Sequence, residues 1–285
     1  MMAAMMKSWL VIVLGIGALC ASAGQAAADE LSPLRLSTDS LAAVENSAAA
    51  SASANKDTFL RLRAYGVYST GDGNVKWGSR VPAIKSDIDL EDTLGMDLDN
   101  FTGGVDIGLD FGRSHLDLSY DGYYDYDGDR VVGSISIDGN VYTGRVTSSL
   151  KIHAGMINYG FDFLRLDRLT VTGNLGLRVF NLDASIHQAL TGRSDSLELW
   201  APIPTPGIGV RYDLTDNLYI RGSVAGMYFG EYGSYVEINA EVGYDFSRNL
   251  GVFLGARYWG LELSWDNNDF DISIPAVYAG VEVRI

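Results

Sequence analysis

The chain has 285 residues, with 36 acidic against 21 basic side chains and a formal net charge of −15. Nucleic-acid binding needs a basic surface that displaces counterions, so this balance excludes a nucleic-acid partner. Apolar residues make up 47% of the chain and charged residues 20%, which excludes a disordered protein. The 33 glycines and 16 tyrosines, beside only 6 prolines, indicate β-structure.

The amino-terminal residues 1–28 have the composition of a secretory signal peptide. Lys7 precedes an apolar stretch at 9–21, and small residues at 26–28 form a cleavage site. The stretch of about 13 apolar residues is shorter than the ~20 that a membrane helix needs. The sequence therefore predicts export and cleavage. Cleavage removes Cys20, the single cysteine, and with it any disulfide or thiolate chemistry.

The next segment, 29–57, is rich in alanine and serine and has no periodic apolar face, so it is predicted to be a flexible periplasmic leader. From Phe59 onward, apolar residues recur with a period of two. Four segments share the pattern of a strand, an aspartate, a short polar turn and a second strand, which predicts β-hairpins. They are 108–124, 160–177, 211–228 and 243–258. One strand before them (59–69) and one after them (272–285) bring the total to about ten strands.

The connections between the hairpins are longer than the turns within them. They are 70–100, 126–143, 184–198, 230–234 and 264–271. Short turns at one end, long loops at the other and an even strand count are typical of a bacterial outer-membrane barrel, in which the short turns are periplasmic. Residues 58–285 thus resemble the small outer-membrane β-barrel proteins of Gram-negative bacteria, the OmpA-like and omptin-sized class.

The resemblance implies an all-β, antiparallel, up-and-down transmembrane β-barrel with both termini in the periplasm. It implies location in the cell outer membrane, and as partners the membrane lipid, lipopolysaccharide and the outer-membrane assembly machinery. It leaves the oligomeric state open. The implied function is a structural, surface-interaction or limited-permeability role without catalysis.

Alternation separates an apolar face, with aromatic residues near the strand ends, from a polar face. The aromatic positions are Phe111, Tyr212, Tyr228, Phe246 and Tyr258. Such girdles are typical of lipid-facing surfaces. The alternative is a soluble, lipocalin-type binding barrel that encloses its apolar face.

The polar face carries arginine but no lysine, and the planar guanidinium suits enclosed pairing with carboxylates. We therefore predict a charge-paired lumen, with Asp121 on the same face. Its members are Arg61, Arg63, Asp106, Asp110, Asp117, Asp162, Arg178, Arg211, Arg221, Glu237, Glu241, Asp245, Arg257, Glu282 and Arg284. About eight strands enclose only side chains, whereas an aqueous channel needs ~16–18, so a ten-stranded lumen is expected to be plugged.

Two strands depart from this pattern. Leu150 and Ile152 have the opposite parity to Ile157. Either a β-bulge at 154–156 restores the phase, or the first half of that strand stands clear of the bilayer.

The second departure is a row of prolines, Pro202, Pro204 and Pro206. Since they share one parity, three missing N–H groups face the same neighbouring strand. This is tolerable only where the neighbour has ended, so 200–206 is expected at the outer rim.

A hydrolase of the omptin kind would need an Asp–His dyad facing a pair of aspartates at the rim. Asp183 with His187 is the candidate dyad, and Asp125 with Asp127 the candidate pair. Solvated rim carboxylates are the commoner explanation, and His115 beside a turn is expected to be a strand-end hydrogen-bonding residue. No catalytic residue is therefore assigned.

Two acid-rich segments, 87–92 and 125–129, offer oxygen ligands for a hard cation. Neither has the glycine at position six or the glutamate at position twelve of an EF-hand loop. Anionic loops beside lipopolysaccharide explain them better. No metal site and no cofactor are predicted.

Overall fold

The computed structural model describes residues 59–78, 85–137, 140–265 and 268–285, so the predicted signal peptide and leader lie outside the described residues. The strands are β1 (Phe59–Ser69), β2 (Asp72–Gly78), β3 (Lys85–Asp89), β4 (Asn100–Phe111), β5 (Ser114–Ile137), β6 (Asn140–Arg165), β7 (Leu169–Gln188), β8 (Arg193–Asp213), β9 (Leu218–Tyr228), β10 (Gly233–Asp245), β11 (Leu250–Trp265) and β12 (Asn268–Arg284). A 3-10 turn, Gly230–Tyr232, joins β9 to β10. Within these described ranges, no helix has the length and apolarity to cross a membrane.

Ten of the strands close a barrel. Strands β4 to β12 pair in chain order, and β1 pairs with both β4 and β12. The remaining two, β2 and β3, extend the sheet from the far end of β12. The predicted all-β, antiparallel, ten-stranded barrel is confirmed. The four predicted hairpins are also present, with turns at 112–113, 166–168, 214–217 and 246–249. We call this side the turn end.

At the end opposite the turn end, the prediction of long loops is wrong for most segments. Segments 126–143, 184–198 and 264–271 are largely strand, and 70–100 contains β2 and β3. Strand lengths reach 24 residues in β5 and 26 in β6, against 11 in β1 and β9. The polar residues that predicted loops lie on the outer face of these strands, while their apolar neighbours point inward.

The structure has two stacked halves with opposite polarity. In the half nearer the turn end, apolar side chains point outward. This apolar band includes Val105, Ile107, Leu109, Leu116, Leu118, Ile157, Tyr159, Ile208, Val210, Ile220, Val224, Ile238, Val242, Leu254, Val277 and Val281. We call the other half the crown. It comprises β2, β3, 90–98 and the strand segments 123–137, 140–154, 180–188, 193–201, 259–265 and 268–274. In the crown, the apolar side chains are buried inside.

Strand β6 shows how the inversion arises. Its register against β7 runs without a shift from Val146 to Asp162, so the bulge expected at 154–156 is wrong. Leu150 and Ile152 are buried inside the crown, whereas Ile157 is exposed on the apolar band. Even positions point inward and odd positions point outward along the whole of β6. What changes is the polarity of the surroundings on each side of the strand. The second explanation is the correct one: this half of the strand projects beyond the band.

The proline row marks a break in the hydrogen-bond ladder. Strand β8 pairs with β7 along its whole length, but with β9 only from Gly207 to Asp213. Pro202, Pro204 and Pro206 lie immediately beyond the last β8–β9 pair. Because β8 does not pair with β9 there, the N–H groups that proline lacks cost no hydrogen bond between the strands. Pairing with β9 has stopped at the prolines, as expected, although β9 itself continues to Tyr228. The expected position of 200–206 at the outer rim is wrong, because β8 continues past them to Arg193.

Candidate functional site

The centre of the lumen is an ion-pair cluster buried just below the crown. Arg257 Nη1 lies 2.5 Å from Asp121 Oδ1, and Arg178 donates to Asp121 Oδ2. The other terminal nitrogen of Arg178 lies 2.7 Å from Glu237 Oε2. The side chains of Arg178, Arg257 and Asp121 are only 1%, 5% and 5% exposed. Charge-assisted hydrogen bonds of this kind combine charge neutralisation with fixed geometry.

A β-bulge on β5 turns Asp121 into this cluster. Tyr120 pairs with Gly155 and Gly122 pairs with Ala154, so Asp121 is one extra residue on its strand. Gly122 adopts φ 113°, a conformation that favours glycine. The bulge also changes the parity of β5, which places Tyr124 inside the crown. Alternation alone assigns Asp121 to the polar face. The glycine that follows it is the feature of the sequence that indicates the bulge.

A second cluster surrounds Arg63 on β1. Its guanidinium donates to Glu241 across the lumen and lies 3.5 Å from Asp106 on the adjacent strand. The Tyr65 hydroxyl lies 3.0 Å from Asp106 and 3.1 Å from Asp121. Tyr65 therefore links this cluster to the central one.

Near the turn end, Arg284 lies between Glu282, at 2.5 Å, and Asp245, at 3.0 Å. Arg211 completes the group at 2.9 Å from Asp213 and 3.8 Å from Asp245. The Arg211 side chain is 30% exposed and that of Asp213 38%. The network thus opens to solvent toward the turn end.

His115 connects two carboxylates on one side of the lumen. Its Nδ1 lies 2.6 Å from Asp110 Oδ1 and its Nε2 lies 2.9 Å from Asp162 Oδ1. Carboxylates only accept, so satisfying both contacts requires a doubly protonated ring. Arg61 contributes a further pair with Asp117 at 2.6 Å. The structure gives His115 the strand-end hydrogen bonds that the sequence led us to expect.

All fifteen residues of the predicted lumen set take part in these ion pairs. Arg221, the remaining arginine, lies 3.7 Å from Glu241. The pairs include contacts between neighbouring strands and contacts across the lumen. The structure therefore pairs every member of the set, in two groups. Arg61, Asp110, Asp117 and Asp162 gather around His115, and the other eleven are linked through Arg63, Asp121 and Arg284.

Above the network lies a floor of aromatic rings that belongs to the crown. Trp259 packs against Tyr124 and Phe180, with ring centroids 5.4 and 5.3 Å away, and Phe180 packs against Tyr235 at 5.8 Å. The Arg178 guanidinium lies 5.9 Å from the Trp259 ring centre. Cation–π attraction couples the charged layer to this floor.

The residues considered for an omptin-like site are arranged differently. Asp183 and His187 are exposed on the outer face of β7, and Asp127 is exposed on the outer face of β5. Lys151 pairs in register with Asp125 on one side and Asp183 on the other. The expected dyad and pair therefore lie side by side on one outer surface and do not face each other across the rim.

The acid-rich segment 125–129 uses its carboxylates in local contacts. Asp125 accepts a hydrogen bond of 2.7 Å from the Tyr123 hydroxyl, and Asp129 accepts one of 2.8 Å from Arg145 Nε. Across the described part of the chain, no group of three or more His, Cys, Asp or Glu side chains could hold a metal ion.

No family model matches the sequence, and no curated protein matches it. Solved structures do match. The outer membrane protease OmpT from Escherichia coli aligns with a TM-score of 0.52 at 9% identity, covering 81% of this chain and 98% of that chain. The fold is that of a small Gram-negative outer-membrane β-barrel.

Other solved structures of this kind align less closely. OprG from Pseudomonas aeruginosa has a TM-score of 0.36 at 11% identity and covers 81% of this chain and 97% of that chain. Neisserial surface protein A has a TM-score of 0.32 at 14% identity, with coverages of 79% and 96%. At 9% identity, the similarity to OmpT concerns the fold, and the fold by itself assigns no activity.

Proposed function

We propose that the protein resides in the cell outer membrane, with the crown outside the cell and the turn end and both termini in the periplasm. The outward apolar band supports this, because a soluble barrel would leave it in water. Exposed aromatic side chains lie at both edges of the band: Phe101 and Tyr228, each 77% exposed, toward the crown, and Phe163 and Phe246 toward the turn end. Its partners would be membrane lipid, lipopolysaccharide and the assembly machinery.

We further propose a structural or surface-interaction role, with a lumen that is closed to solutes. The observation that carries this is the buried cluster of Arg178, Arg257, Asp121 and Glu237, capped by the aromatic floor. A selective channel keeps one sign of charge along its wall. Here the signs alternate and pair, so an ion entering the lumen would have to displace protein counterions.

Reconstitution in planar bilayers tests this role. The wild type is expected to show no long-lived openings. The double variant Arg178→Ala/Arg257→Ala, which removes both central cations, is expected to conduct. The matched control, Arg145→Ala/Arg193→Ala, removes two exposed crown arginines and should behave as the wild type does. Porin-like conductance of the wild type would contradict a closed lumen.

A hydrolase is the second candidate, favoured by the similarity in shape to OmpT. The outward positions of Asp183 and His187 speak against it. A surface peptidase assay separates the two functions: we expect the wild type to leave fluorogenic peptides intact. Cleavage that disappears in Asp183→Ala and His187→Ala would support the hydrolase.

A further inference from the structure

The crown encloses a cavity of about 60 Å³. It lies between the wall formed by β6, β7 and β8 and the opposite side formed by β2, β12 and 88–96. Leu150, Leu182 and Leu199 line it from the wall, and Ile88 and Phe270 line it from the opposite side. Its surface is almost entirely apolar. Such a cavity is dry and accepts hydrocarbon in preference to water.

Charged side chains border the cavity at one end. Asp195 lies on β8 beyond Leu197 and Leu199, on the side away from the barrel. Lys76 and Asp269, which are register partners on β2 and β12, line the cavity as well. The site therefore has an apolar interior and a polar rim, the combination typical of small-molecule pockets.

The carboxylate of Asp195 is held in place by the tip of the β5–β6 hairpin. The Tyr142 hydroxyl donates to Asp195 Oδ2 at 2.5 Å, and Asn140 Nδ2 donates to the same oxygen at 2.9 Å. Burial, together with the hydrogen bond to Asp195, raises the pKa of Tyr142, so its hydroxyl remains a donor at neutral pH. The rim is thus pre-organised.

We propose that this cavity binds a small amphipathic molecule, a short hydrocarbon chain with a cationic or neutral polar head at the rim. A cavity of this size is less than half of the ~150 Å³ that accepts benzene, so it holds the end of such a chain, roughly two to three carbon atoms. Among the residues that line the cavity, two carboxylates stand against one ammonium group, which favours a cationic over an anionic head. The apolar end enters first and the head stays beside Asp195.

The test uses the full chain in lipid nanodiscs and ¹⁹F NMR. The probe is 4,4,4-trifluorobutylamine, and 4,4,4-trifluorobutyrate has the same chain with an anionic head. We expect a saturable change in the amine signal, absent with empty nanodiscs, and binding of the butyrate at least tenfold weaker. Lack of saturable amine binding, or equal binding of both probes, would overturn the proposal.

Two variants locate the binding. Ala184→Leu fills the cavity and should abolish saturable binding, whereas Ala256→Leu, on the exposed face of β11, should not. Asp195→Asn should weaken amine binding about tenfold and leave 4,4,4-trifluorobutanol unaffected. If Ala184→Leu does not fold, Asp195→Asn decides alone. Unchanged amine binding in Asp195→Asn or in folded Ala184→Leu contradicts the proposed site.

Discussion

Replacing Arg178 by methionine tests whether the central ion pairs stabilise the barrel. Methionine keeps an unbranched apolar stem but removes the charge. Asp121 keeps its pair with Arg257, whereas Glu237 loses its ion pair and retains hydrogen bonds from Tyr235, at 2.7 Å, and from a neighbouring asparagine. The variant therefore leaves one buried carboxylate without a counterion.

The size of the effect follows from burial. Removing one partner of a buried ion pair costs about 3–5 kcal/mol. Because Asp121 keeps a cation and Glu237 keeps neutral donors, we expect about 3 kcal/mol for Arg178→Met. The matched control is Arg145→Met, since the side chains of Arg145 and its partner Asp129 are 65% and 45% exposed. Exposed pairs contribute about 0–1 kcal/mol, so the control should lose no more than that.

The measurement is urea unfolding in lipid vesicles, followed by tryptophan fluorescence and by the gel mobility of unboiled samples. The double variant Arg178→Met/Glu237→Gln should recover much of the lost stability, because no unpaired carboxylate remains. Equal losses in Arg178→Met and Arg145→Met would refute the reasoning. So would a double variant whose loss is the sum of the two single losses.

Two further predictions concern single positions. Gly122→Ala should destabilise the barrel by about 1–3 kcal/mol, because a Cβ there would lie 2.6 Å from Thr102 Cγ2 at φ 113°; unfolding like the wild type would contradict a strained bulge. The pKa of Asp271 in the crown is raised by burial and by the charges of Glu262 and Asp72. Above its raised pKa, the Asp271 carboxylate destabilises the fold, so Asp271→Asn should stabilise the crown at pH 7. The gain should stay below ~1 kcal/mol, because the side chain is exposed and solvent screens its charge. In urea titrations this gain should decline as the pH falls through the raised pKa of Asp271, and it should be absent below about 4, where Asp271 is protonated in both states; a gain that does not change with pH would refute it.

The sequence predicted the barrel half well because its signals are local. Each turn follows an aspartate within a few residues, and alternation alone assigns Arg63 and Glu241 to the inner face. Which residues meet across the lumen is not local. Arg63 and Glu241 are 178 positions apart, and Asp121 and Arg257 are 136 apart. Their pairing depends on the stagger of all the strands between them, which periodicity does not encode.

The crown was missed for a different reason. Tyr124, Asp125 and Tyr126 alternate as a strand does, but the meaning of the alternation reverses where the outward apolar band ends. Alternation with a period of two does not specify which face points inward. Polar residues on the outer face of a strand that extends beyond the apolar band therefore look like loop residues in the sequence. The position of that boundary is a property of the assembled barrel. Similarly, the bulge at Asp121 inverts the inward parity within one strand.

The interrupted pairing of β8 has a mechanical consequence. On the turn-end side of Gly207, backbone hydrogen bonds join all ten strands into a closed barrel, so every strand shares an applied tension. Beyond Gly207, β8 has no ladder partner on the β9 side within the described residues, so the crown is a cylinder with an open seam at Pro202, Pro204 and Pro206. Heat or force should therefore open the crown first along this seam, while the hydrogen-bonded barrel nearer the turn end stays closed. Faster amide exchange in 193–201 should be the earliest sign.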